Sequence, residues 1–86
     1  MTIDRMLATW VQNRRNLGFS IVNTHDMEDA KEYMRVSFGR THLTSTIERS
    51  FRKLRSKGVI KVINAKRPFD REARWLIKNV DMSKLR

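Results

Sequence analysis

The hydrophobic patterning of the 86 residues predicts an α+β fold in which three helices precede a C-terminal β-hairpin. Two observations carry that prediction. Apolar residues recur at helical spacing three times before Gly58, and two β-branched or aromatic runs then follow, separated by a cation-rich connection that contains Pro68. With one Pro and three Gly, the chain is also too poor in breakers to read as disordered or low-complexity.

Ile3, Met6, Leu7, Trp10, Val11 and Leu17 follow one helical face and predict a first helix over about residues 3–16. Thr2 stands at the capping position, Asp4 complements the helix dipole, and Gly18 supplies a left-handed stop. Phe19-Ser20-Ile21-Val22 alternates briefly and predicts a short strand. Asn23-Thr24, followed by Asp26, Glu28 and Asp29, marks the start of a second helix over about residues 25–36, with Met27, Ala30, Tyr33 and Met34 on its apolar stripe. Ser37-Phe38-Gly39-Arg40 breaks it.

Leu43, Ile47, Phe51 and Leu54 then repeat at i, i+4, i+8 and i+11, while Ser45 and Glu48 have capping-box spacing, so a third helix is expected over about residues 44–57. Gly58 ends it. Val59 to Ile63 and Ala73 to Ile77 predict antiparallel strands at about 59–64 and 72–78, with Trp75 in the core under the hairpin. Residues 81–86 read as a loose tail. The whole chain, 1–86, is expected to form one domain, because a chain this short closes a single core and buries roughly 60% of its unfolded surface.

Nineteen Lys and Arg against nine Asp and Glu give a net charge of +10, so a polyanion is the expected partner. The charge is uneven. Residues 1–34 hold four basic and five acidic residues, whereas residues 35–86 hold fifteen basic and four acidic. The absence of Cys excludes disulfides and thiolate metal sites, and no apolar run approaches the roughly 20 residues of a membrane span. A cytoplasmic chain with no membrane partner is expected.

The segment Leu43-Thr44-Ser45-Thr46-Ile47-Glu48-Arg49-Ser50-Phe51-Arg52-Lys53-Leu54-Arg55-Ser56-Lys57-Gly58-Val59-Ile60 resembles the recognition helix and wing opening of the winged helix-turn-helix superfamily. The likeness lies in the small hydroxylated residues, then Ile47, Phe51 and Leu54, and then Gly58 with two apolar residues. It is close over residues 43–60 and looser over 24–78, and the turn Val36 to Thr41 is longer than the tightest versions. The resemblance implies double-stranded DNA as partner, with the third helix in the major groove and the hairpin on the backbone or in the adjacent minor groove. A transcription regulator follows as the expected role.

On that reading Leu43, Ile47, Phe51 and Leu54 anchor the helix, and Thr44, Ser45 and Thr46 let its N-terminus approach bases and phosphates closely. Arg49, Arg52 and Lys53 project outward, with Arg49 the best candidate for a bidentate contact to guanine. Lys66, Arg67 and Arg71 occupy the hairpin loop that would meet phosphates. Any one of these cations could be part of a solvated face, but Arg52, Lys53, Arg55 and Lys57 fall within six residues and repel one another without a partner.

Trp10, Trp75 and Phe69 are better read as core than as stacking platforms, Phe69 least so. His25 and His42 have no metal-ligand spacing, and Asp26, Glu28, Asp29 and Glu32 share one helix with Lys31 and Arg35 nearby. No metal, cofactor, small-molecule ligand or catalytic activity is expected. RNA binding and protein interaction are the alternatives to DNA. Helix one, with Met1, Ile3 and Trp10, offers a surface for a homodimer.

Overall fold

The computed structural model describes residues 2–23, 25–64 and 74–85. The elements run α1 (Ile3–Asn16), β1 (Ile21–Asn23), α2 (Asp26–Phe38), α3 (Thr44–Ser56), β2 (Ile60–Asn64), β3 (Arg74–Val80) and a 3-10 turn, Met82–Lys84. Three helices and a three-stranded antiparallel sheet make the α+β architecture that the periodicities predict. The 65–73 connection, which holds the expected loop cations Lys66, Arg67 and Arg71, lies outside the described residues.

Local chemistry sets the helix ends. The Thr2 hydroxyl accepts from the Arg5 amide (3.3 Å) and caps α1. Asn23 and Asp26 cap α2 reciprocally: the Asn23 amide donates to Asp26 Oδ2 (2.9 Å) and the Asp26 amide to Asn23 Oδ1 (3.3 Å). Helix α2 runs two residues past the expected stop and ends where Gly39 takes φ 65°, with the Arg40 amide donating to the Met34 carbonyl (3.3 Å). Gly58, at φ 76°, ends α3 in the same way, since the Val59 amide donates to the Leu54 carbonyl (3.0 Å). Val59 is fully buried, so α3 leads directly into β2 through the core.

The sheet order is β1-β3-β2, so the last strand is the central one. Val22 pairs with Trp75 and Ile63 with Leu76, and the register shifts between Lys61 and Val62. Lys61 pairs with Asn79 and Val62 with Ile77, so Lys78 is the extra residue of a bulge. The side chains of Val22, Ile60 and Ile77 join Met6, Leu7, Met34, Ile47, Phe51 and Leu54 in one core. Phe51 lies at its centre and meets the Trp75 ring at 5.1 Å, tilted by 56°.

Four sequence expectations need correction. Leu43 precedes α3 in an extended conformation and is 70% exposed, so Ile47, Phe51 and Leu54 anchor the helix without it. Leu17 lies past the end of α1 and is 75% exposed. Helix α3 begins one residue before Ser45 with no side-chain cap, so Ser45 and Glu48 are not a capping box. Residues 81–85 are not loose: the Asp81 amide donates to the Val59 carbonyl (2.7 Å), Asp81 caps the 3-10 turn, and Met82 and Leu85 pack on the core. Short-range pattern misses this last contact because Val59 and Asp81 meet only after β3 has crossed the sheet.

Candidate nucleic-acid interface

At 100° per residue, Ile47, Ser50, Phe51 and Leu54 form the inner face of α3, and all four are buried. Opposite them, within a sector of about 60°, stand Ser45, Arg49, Arg52 and Ser56, all exposed. The sequence reading singled out the first three of these and missed Ser56. Thirteen residues make α3 about 20 Å long at 1.5 Å per residue, enough to lie along a major groove about 12 Å wide.

The flanks of α3 are occupied by the protein itself. Thr44 donates its hydroxyl to Glu28 of α2 (2.6 Å). Ser50 donates to Asp4 of α1 (2.6 Å), and Lys53 Nζ lies 3.0 Å from the same carboxylate. Lys53 is therefore turned toward α1 and is not part of the outer stripe, although it keeps about half its exposure. Thr46, two turns before Lys53 on the same flank, is half-buried. The Arg55 guanidinium lies 5.3 Å over the Trp75 ring. Arg49 and Arg52 have no ion-pair partner among the described residues.

This difference follows from where the carboxylates are used. Arg14, stacked between Trp10 and Phe19, pairs with Asp26 (3.4 Å) and lies 4.0 Å from Asp29. Arg35 makes two contacts to Glu32. Asp4 serves Ser50 and Lys53. Burial pushes its carboxyl upward, but the hydrogen bonds from Ser50 and Lys53, with the charges of Lys53 and Lys57, hold it below its ordinary value. These acids neutralise α1, α2 and one flank of α3, and leave the outer stripe positive.

The start of α3 adds its backbone amides, partly offset by the Glu28 carboxylate that accepts from the Thr44 hydroxyl (2.6 Å). No acidic residue lies in its first turn and no side chain caps it, so its free amides present positive partial charge. At its other end, Arg52, Arg55 and Ser56 face Ile60, Lys61 and Val62 of β2 across a shallow open groove. Three cations and no carboxylate line it. Lys61 had no role in the sequence reading, because only the turn at Gly58 brings β2 beside α3.

No family model matches the chain, and no curated protein or solved structure matches it. The site is therefore read from its own chemistry. Among the described residues no group of three or more His, Cys, Asp or Glu could hold a metal ion, and no helix is long and apolar enough to cross a membrane. His42 is half-buried in the corner between α2 and α3. Trp10 is in the core, as its reading as a core residue expects, and at 5% exposure it is not available to the homodimer surface considered for helix one.

Proposed function

We propose that this chain is a double-stranded DNA-binding module of winged helix-turn-helix type, which seats α3 in the major groove and serves transcription regulation. The single observation that carries this reading is the outer stripe of α3. It sets Arg49 and Arg52 between Ser45 and Ser56, all exposed, on a helix whose opposite face is locked in the core. A helix held that rigidly presents its side chains to base edges without first having to order itself.

Arg49 and Arg52 lie one turn apart, each with a planar fork of donors that matches guanine O6 and N7 or a phosphate. Ser45 and the amides at the start of α3 suit a backbone phosphate. Arg52, Arg55 and Lys61 extend the positive surface along the groove to β2, toward the strand that leads into the 65–73 connection. The cations Lys66, Arg67 and Arg71 of that connection supply the wing contacts on this reading.

Duplex RNA is disfavoured as the ligand because its major groove is too narrow and deep for a helix. The deciding experiment is competition of a labelled DNA duplex, selected from a random pool, against unlabelled random DNA, duplex RNA and heparin at roughly 0.15 M salt. The selected duplex should be retained against all three. Equal displacement by heparin and random DNA would reduce the protein to a nonspecific polyanion binder, and stronger displacement by RNA would reassign it.

A further inference from the structure

The outer face of the sheet carries a feature that the α3 stripe does not use. Ile21 and Leu76 are partners across β1 and β3, and Leu76 and Ile63 are partners across β3 and β2. Paired residues project on the same side of a sheet, and adjacent strands lie about 4.8 Å apart, so the three side chains form one row about 10 Å across. Their exposures are 51%, 37% and 50%, whereas Val22 and Ile77, which alternate with them, are buried. The row thus lies on the face turned away from α3, whose Phe51 meets the sheet at Trp75.

Single exposed apolar residues are ordinary on a protein surface, but three in register across three strands are a continuous strip. Leu17 and Phe19, in the segment that leads into β1, are exposed as well. Among the described residues the charges on the three strands have one sign, and Asp81, just past the end of β3, is a carboxylate close enough to act on Lys61. The three strands contain Lys61, Arg74 and Lys78 and no Asp or Glu, and Lys61 and Lys78 are exposed.

We propose that this strip docks an acidic segment of a partner protein, whose apolar side chains cover Ile21, Leu76 and Ile63 while its carboxylates meet Lys61 and Lys78. Charge complementarity selects that occupant. A symmetric pair of this chain would bring together two molecules of net charge +10, with no Asp or Glu on the described strands to offset Lys78. A nucleic-acid backbone would satisfy the lysines and leave the apolar row without a counterpart. The apolar row and the outer stripe of α3 are on different faces, and Lys61, on the edge strand β2, borders both the row and the groove beside α3, so a bound partner leaves Arg49 open and shares Lys61 with the proposed duplex site.

The test is a titration of the isotope-labelled full chain, followed by NMR, with a synthetic peptide that alternates Leu and Glu. A peptide of equal charge that alternates Ser and Glu is the comparison. The Leu-containing peptide should move the amide signals of Ile21, Ile63 and Leu76 ahead of those of α3, and bind about tenfold tighter than the Ser-containing one. Leu76→Thr, which keeps a strand-forming residue at a partly exposed position, should weaken that binding about tenfold and leave duplex affinity unchanged.

Ile63→Thr should weaken peptide binding as Leu76→Thr does, which separates a lost contact from a fold defect peculiar to one variant. Shifts confined to α3, equal affinity for both peptides, or no binding would overturn the proposal. Self-association abolished by Leu76→Thr would make a second copy the occupant instead. Binding to phosphatidylglycerol vesicles, lost in the same variant, would make it a lipid surface.

Discussion

Lys53 Nζ lies 3.0 Å from Asp4 Oδ2, so a cation of α3 is held by the first turn of α1 and withdrawn from the face that carries Arg49 and Arg52. The other oxygen of Asp4 accepts from the buried Ser50 hydroxyl (2.6 Å). One carboxylate therefore fixes the rotation of α3 relative to α1 and selects which cations face outward.

Replacing Asp4 tests that clamp. Asp4→Ala leaves the Ser50 hydroxyl buried without an acceptor and should cost about 1–3 kcal/mol in urea denaturation. Asp4→Asn keeps an acceptor for Ser50, loses the charge pair, and should cost about 0.2–1 kcal/mol. Equal losses in the two variants would show that the hydroxyl contributes nothing.

The same residue gives the protein an acid limb. The Asp4 carboxyl is held below its ordinary value of 3.8 in the folded state, so its contribution is complete above that value and disappears as the pH falls through the folded one. Stability should decline below about pH 4, and the decline should be shallower in Asp4→Asn. It should not vanish, because the hydrogen bond from Arg35 lowers Glu32 and that from Ser83 lowers Asp81. An unchanged acid limb in the variant would remove Asp4 from the account.

Leu43 and Ile47 should behave oppositely although their sequence spacing makes them equivalent. Leu43→Ala, at an exposed site, should alter stability by less than about 0.5 kcal/mol, whereas Ile47→Ala should cost about 2–5 kcal/mol by opening a cavity in the core. Thermal or urea unfolding of the two variants reads the difference. A large loss from Leu43→Ala would return Leu43 to the anchor.

Gly39→Ala should cost about 1–2 kcal/mol through the backbone alone, since φ is 65° and an added Cβ would meet nothing within 4 Å. Asn tolerates the left-handed region better than Ala, so Gly39→Asn should recover part of that loss. Identical unfolding midpoints for wild type and Gly39→Ala would show that the corner between α2 and α3 is free to rearrange.

For DNA, Arg49→Ala should cost about 1–3 kcal/mol on the selected duplex and much less on random sequence, because an edge contact forms only with the right base. If five or six phosphates are neutralised, log affinity should fall with log salt at a slope near −5. Lys66 and Arg67 replaced together should flatten that slope by about two units on both duplexes. Arg52→Ala should flatten it by about one unit and Lys53→Ala by less, since Lys53 is already paired with Asp4. An Arg49 variant that weakens all sequences equally would point to an architectural, nonspecific role.

The sequence by itself determined that three helices form, that Gly39 and Gly58 stop the second and third, and that Ile47, Phe51 and Leu54 line the inner stripe of α3, because left-handed glycines and the 3.6-residue period are local properties. It also determined that positive charge gathers after residue 34. Only the tertiary structure decided which cations face outward. Lys53 and Arg52 are adjacent in sequence and chemically similar, and they part because one reaches Asp4, 49 residues away along the chain. The Asp81 contact to Val59 and the row of Ile21, Leu76 and Ile63 are likewise products of strand order and register. Pairing across a sheet joins residues that no local period connects.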